Sequence, residues 1–364
     1  MNKQNKKPVS PIVAFGILFC VLGGIYLADM LHKDYKAKQA EQRRVAFEEE
    51  KKLKPVDNGE MITVNGVSFN MIKVQGGTFT MGNQDLESLK NAIWGMTWGE
   101  LDSYHLQDVT LNDFYIGQTE VTCELWEAVM GDFPIKELTS GTLAAIEKRN
   151  KLIASRYKLG ENYPIRYVNY YDILAFIEKL NNLTGKKFRL PTEAEWEFAA
   201  QGGNSSKGYM FSGSNIIDHV GWFSNNTHKD HDYPHPVMKL APNELGIYDM
   251  SGNVREVCAD IFNWRKRGIL GLKYMNCKGT EGLKFLLRLP AVSNPLNKEK
   301  IKIRGDVNDV HYFDWKELNV ARGGSYRFGA LKANIRERSY FYYNTNKKDD
   351  DEFRDKDVGF RLAL

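Results

Sequence analysis

The spacing of apolar and polar residues changes character along this chain. Lys3, Lys6 and Lys7 precede an uncharged stretch, Pro8 to Ala28, whose centre from Ile12 to Leu22 is apolar throughout. About 20 predominantly apolar residues cross a bilayer as a helix, and about 17 suffice. Residues 11–28 are therefore expected to form a transmembrane anchor behind a short cytoplasmic tail, residues 1–10. Pro11 suits a first helical turn, where its missing N–H is no loss. The stretch is long for a cleaved signal peptide, and Tyr26-Leu27-Ala28 is a poor small-residue cleavage site. Residues 29–58 are dense in Lys, Glu, Gln, Arg and Ala. These residues favour helix, and Glu48, Glu49 and Glu50 are spaced to pair with Lys51, Lys52 and Lys54. The segment reads as a charged helical stalk or linker, and its apolar positions sustain no heptad.

From Met61 the pattern turns to short alternating runs. Met61 to Phe69 predicts a hairpin about Asn65-Gly66, the strongest short hairpin signal. Asn70 to Val74 and the segment around Thr78 to Met81 predict two further short strands, separated by glycines. Thr122 is placed to cap a helix from Cys123 to Met130. A second helix is expected from Tyr170 to Leu183, with Ile173, Leu174, Phe176, Ile177 and Leu180 on its apolar stripe and Gly185 ending it. A third, Glu193 to Ala200, follows Pro191-Thr192 and has an acidic first turn. Beyond Ala200 apolar runs are brief and Gly, Asn, Ser and His are frequent, so few regular elements are expected.

Composition narrows the function classes. A net charge of +4 over 364 residues, with no basic run interleaved with aromatics, gives nucleic-acid binding little support. The 42% hydrophobic and 12% aromatic content can bury a substantial core. Lys33, Lys36 and Lys38 on the far flank nearly balance Lys3, Lys6 and Lys7, and an N-in orientation is the expectation. The bulk of the chain is then expected outside the cytoplasmic membrane, as a single-pass periplasmic protein. Of the four cysteines, Cys20 lies in the anchor; Cys123, Cys258 and Cys277 form no CxxC or Cys/His metal spacing and read as buried, inert thiols.

Ordered motifs then carry a resemblance. They are Gly76 to Gly82, Ile116 to Thr122, Pro164 to Tyr170, Phe188 to Glu197, Asn243 to Val254, Ala321 to Tyr326 and Val358 to Arg361. In this order, across Met71 to Leu364, they resemble the formylglycine-generating, or sulfatase-modifying factor, family. The resemblance implies an α+β fold, the loop-rich C-type-lectin-like fold of that family, over residues 61–364. The stretches 85–108, 131–163 and 264–320 look like insertions, which loops tolerate at modest entropic cost.

The same resemblance implies where chemistry is missing. The family's oxidase binds copper through two cysteine thiolates, three and eight residues beyond the serine of its Gly-Gly-Ser motif. Here those positions are Phe328 and Ala333. Neither can ligate copper(I), which prefers soft thiolates, so no copper is expected. Arg255 stands where the family has a groove tryptophan. Arg255, Ser325 and Phe328 are thus the expected lining of a ligand groove, with no His or Asp partner for Ser325 evident in the sequence. The resemblance carries a structural calcium site onto Asp249, Gly252, Val254 and Glu256, a hard-oxygen set that suits the ion. The competing reading has Asp249 capping a turn and Glu256 paired with an arginine. Arg322, Glu195 and Arg361 also match family positions and are expected to form internal ion pairs. His219, His228, His231 and His235 cluster in sequence, but Pro234 and Pro236 break any helix there, and solvated loop histidines are the ordinary account. Tyr340-Phe341-Tyr342-Tyr343 suits alternating burial in a strand or a contact surface. The expected function is binding or scaffolding in the cell envelope, with a protein, peptide or glycan as partner. The alternative is a metal-dependent oxidase, or another oxidoreductase, with a non-standard site.

Overall fold

The structure, a computed structural model, describes residues 58–82, 106–133, 162–227, 234–261, 318–342 and 354–364, all within the unit Lys54–Leu364. The expected tail, anchor and nearly all of the stalk lie outside the described residues, as do His228 and His231 and most of the three insertions. Among the described residues no helix is long and apolar enough to cross a membrane.

The first sheet has the order β1-β2-β5. β1 (Gly59–Val64) and β2 (Val67–Val74) form the hairpin, with Asn65 at φ 49° and Gly66 at φ 87° supplying the left-handed pair that a tight turn needs. β2 runs unbroken where two strands were expected, because Val67 to Ile72 pairs with β1 on one side and Met71 to Val74 with β5 (Phe114–Gly117) on the other. β3 (Thr78–Met81) and β4 (Gln107–Thr110) form a separate two-stranded ribbon, laced by Thr78–Thr110 and Thr80–Asp108 side-chain hydrogen bonds.

Three helices pack beside these strands, and each starts on a side chain that satisfies its free amides. In α1 (Cys123–Met130), Thr122 accepts from Leu125 N, and Gly131 ends the helix at φ 86°. In α2 (Tyr170–Thr184), Asn169 and Asp172 form a reciprocal capping box. Ile173, Phe176, Ile177 and Leu180 are buried on one face, but Leu174 is 42% exposed. At 100° per residue it falls beside the i, i+3, i+4, i+7 stripe rather than on it. In α3 (Glu193–Ala200), Thr192 and Glu195 form a second capping box. Trp126 stacks on Phe176 at 5.1 Å, with Phe360 edge-on to both, at the centre of the core between α1 and α2.

The second sheet assembles from the stretch where few regular elements were expected. Its order is β8-β7-β6-β9: β8 (Arg338–Tyr342), β7 (Leu318–Arg322), β6 (Arg255–Ile261) and β9 (Val358–Gly359). These strands are short and distant in sequence, so no local run announces them. A one-turn helix, α4 (Ile217–Val220), lies in the loop region before β6. β9 is parallel to β6, and the residues after it cross to the first sheet. Gly117 N donates to Leu362 O at 2.8 Å, and Tyr115 and Leu364 exchange backbone hydrogen bonds. The last residues of the chain therefore clasp the two sheets together, and β6 with β9 forms the floor of the site.

Candidate functional site

Successive residues of a strand point to opposite faces, and β6 uses this at its first two positions. Glu256 faces inward. Its carboxylate accepts Arg361 Nε at 2.5 Å and Nη2 at 2.6 Å, and Trp196 Nε1 at 2.7 Å. Arg361 spends its other donors on the carbonyls of Gly117 and Tyr248, at 2.9 and 3.0 Å. Nearby, Arg322 pairs with Glu197 and lies 3.6 Å from Glu193, while Arg338 takes Glu193 in a bidentate pair. Glu195 pairs with Arg189 at 2.6 and 2.7 Å. The arginines and glutamate expected in internal ion pairs do form them.

Arg255 faces the other side, toward Asp357 and Phe328, where the expected groove would lie. Its guanidinium reaches Asp357 at 3.0 and 3.3 Å, Asp355 at 3.2 Å and the carbonyl of Tyr340 at 3.2 Å. It also sits 5.7 Å from the centre of the Phe328 ring, a cation–π distance. Ser325 Oγ donates to Asp357 Oδ2 at 2.7 Å. Ser325 thus has the carboxylate partner that the sequence did not reveal, brought to it by the C-terminal segment. Burial opposes ionisation of Asp357, but the Arg255 charge and hydrogen bonds and the Ser325 hydroxyl hold its carboxyl below the usual range. A network of this kind leaves Ser325 as a donor to a low-pKa carboxylate, which is the reverse of an activated nucleophile.

The two positions of the family thiols differ in setting. Phe328 is 39% exposed beside Arg255, whereas Ala333 is buried at the end of a short turn. Gly324, at φ 68°, lets the serine loop lie against that turn, since a Cβ there would fall 2.4 Å from Lys332 O. On β8 the expected alternation is present: Tyr340 is 53% exposed and Phe341 is buried. Arg255 thus lies beside the Phe328 ring and the backbone of Tyr340, both of them exposed aromatic residues.

Among the residues of the expected calcium set, Asp249 lies at φ 61° and its Oδ2 accepts Met238 N at 2.8 Å. Its Oδ1 is buried without a hydrogen-bond partner, which suits a cation there. Gly252, at φ 90°, has room only for a hydrogen, because a Cβ would fall 2.1 Å from Trp222 O. Val254 N donates to Glu120 at 3.2 Å, and Asn253 Nδ2 donates to the same carboxylate at 3.0 Å. Glu256, by contrast, already has both oxygens engaged by Arg361. Burial pushes the Asp249 carboxyl up to about 6; the Met238 amide and Arg361 oppose this, and Glu256 adds to it. Burial, with Asp249 and Glu256 nearby, also raises Glu120 well above its ordinary value. Glu120 was not singled out by sequence; its only signal was its place in the Ile116 to Thr122 motif, at a strand-to-helix junction.

Cys123 and Cys258 are buried free thiols, and burial raises both, Cys123 to about 12. They are poor nucleophiles and poor ligands in that state. His219 is buried in α4, and His235 stacks on Trp222 with ring centroids 3.7 Å apart. Among the described residues no group of three or more His, Cys, Asp or Glu is arranged to hold a metal ion. Asn226 bridges Phe223 N and Gly221 O, which makes it a turn-forming residue.

This geometry agrees with what the chain is similar to. It is 34% identical over 221 residues to the chaperone protein LppX of Paenibacillus barcinonensis, covering 53% of this chain and 71% of that protein. It is 36% identical over 112 residues to the formylglycine-generating enzyme of Streptomyces coelicolor, but spans only 33% of that enzyme's length. The structure of PvdO from Pseudomonas aeruginosa superposes with a TM-score of 0.54 at 22% identity, over 85% of this chain and 98% of that one, a likeness of fold. A family model described as the sulfatase-modifying factor enzyme 1-like domain matches residues 63–364, and the chain belongs to that family.

Proposed function

We propose that this chain is a non-oxidase member of its family, a binding or scaffold domain of the cell envelope that engages a protein, peptide or glycan at the groove rim. The observation that carries this reading is the pair Phe328 and Ala333, where the family enzymes hold copper between two thiolates, together with Arg255 filling the groove. With carbon at both positions there is no soft ligand to hold copper(I). The Arg255–Asp357–Ser325 network ties up the polar groups of the groove floor and leaves Phe328 and Tyr340 as its exposed contact groups. Exposed aromatics beside a desolvated arginine are the side chains that anchor protein interfaces. A relative whose name describes a chaperone supports a polypeptide as the partner class.

Residues 11–28 would anchor the domain, with residues 29–58 holding it off the bilayer. A calcium ion would be held by Asp249 Oδ1 and the carbonyls of Gly252 and Val254, with Glu256 shared with Arg361. Its role would be to neutralise buried carboxylate charge, a structural task. The test is metal analysis of the purified protein, followed by oxygen uptake with thiol peptides. Calcium without copper or iron, and no uptake, is the expected result. Stoichiometric copper or iron with turnover overturns the reading in favour of an oxidoreductase. Carbonate extraction tests the anchor: release of a shortened soluble chain overturns it.

A further inference from the structure

Away from the groove, buried charge is concentrated where α3 meets the β6-β7-β8 part of the second sheet. Glu193 is held through both oxygens by Arg338, at 2.5 and 2.6 Å, and Glu197 is held by Arg322. Glu195 is held by Arg189. Arg336 faces Glu197 and Arg322 and donates to Tyr209 O at 3.1 Å. Asp260, near the end of β6, is 2% exposed. It accepts the backbone N–H of Glu193 at 2.7 Å, the first residue of α3. Its charged neighbours are Glu195, which disfavours a negative charge there, and Arg322, which favours one but is already drawn to Glu197.

An amide donor still bonds a neutral carboxyl oxygen, though more weakly than a charged one, while an ionised carboxylate is far costlier to bury. We propose that Asp260 is a proton-taking joint between α3 and β6: protonation relieves buried charge without breaking any ion pair, so the domain tightens in mildly acidic surroundings. The supporting shift has a plain cause. Burial pushes the Asp260 carboxyl up to about 6, the Glu193 amide and Arg322 oppose this, and Glu195 adds to it. The folded value lies above the ordinary 3.8. Between about pH 4 and 6 the native chain then binds more proton than the unfolded one, and the contribution of this group to stability falls as pH rises through that window.

The experiment is thermal unfolding of the full chain and of Asp260→Asn at pH 7.5 and pH 5. Asparagine keeps an acceptor for the Glu193 amide and removes the charge. At pH 7.5 the variant should melt higher by about 2–6 °C, and the advantage should roughly halve at pH 5. Asp260→Ala, which loses the acceptor, should melt below Asp260→Asn at both values. A lower melting point for Asp260→Asn at pH 7.5 overturns the proposal, because the charge would then be favourable at the start of α3. If the variants do not fold, the carboxyl carbon resonance of Asp260 in the unmodified chain decides. A titration midpoint near 6 supports the joint, and one below 4 overturns it.

Discussion

Arg255 and Glu256 are neighbours on one strand, yet they belong to two regions solved in different ways. On the inner side, Glu256 and Arg361 are both removed from water and hydrogen-bonded by each other, an indole and two carbonyls. On the groove side, Arg255 bridges a buried aspartate and an exposed one, and lies beside an exposed phenylalanine. The inner pair holds two sheets in register and cannot tolerate loss of a partner. The groove pair sits at a boundary with water, where a rearranged partner or solvent can replace what is lost. This suggests why a family scaffold can change its groove chemistry while keeping its interior: the interior charges are interlocked and the groove charges are not.

The comparison can be broken most directly at Arg361. Arg361→Met strands Glu256 in the interior and should cost about 3–5 kcal/mol in chemical unfolding. The double variant with Glu256→Gln should recover part of that. A cost no larger than that of the matching change at Arg255 would abolish the distinction. Calcium probes the same inner region from the other side. Restoring calcium to chelator-treated protein at a hundredfold excess over Kd should add about 2.7 kcal/mol, and Asp249→Asn should lose that response. No shift in melting temperature would remove calcium from the account.

Arg255→Ala should cost less, about 1–2 kcal/mol, since Asp357 keeps the Ser325 hydroxyl. Its pH dependence has a definite sign. The folded Asp357 carboxyl lies below its ordinary value, so it contributes stability at neutral pH that is lost as pH falls through the folded value. The gap between the wild-type chain and Arg255→Ala should therefore narrow in acid because the wild-type chain loses stability there, whereas the Asp260 gap narrows because the wild-type chain gains it. The smallest effect is expected at the rim. Phe328→Ala should leave stability within about 0.5 kcal/mol, as surface substitutions do, while weakening capture of any groove partner. A large loss of stability would make Phe328 a core residue and remove the rim as a contact surface.

Much of the first half of the fold was legible because its signals are local. Thr122, Asn169 and Thr192 cap their helices within three residues, and Asn65-Gly66 turns its hairpin at once. Leu174 was misplaced for an equally local reason, one step of helical rotation. The second sheet was not legible, since β6 and β7 are separated by residues 262–317 and β9 contributes only two residues. Of the groove, Arg255, Ser325 and Phe328 could be named from their place in the motifs, but Asp357 could not be named as their partner.

The sequence by itself determined the Asn65-Gly66 turn, the Thr122 cap, the family motifs and the absence of thiols at Phe328 and Ala333. Those follow from residue type and from spacing over a few positions. Only the tertiary structure decided which charges meet: Arg255 with Asp357 across 102 residues, Arg361 with Glu256 across 105, and Asn253 with Glu120 across 133. A backbone preference is set by neighbours along the chain, whereas the partner and protonation of a buried charge are set by what the fold brings within a few ångströms and by how much water it excludes.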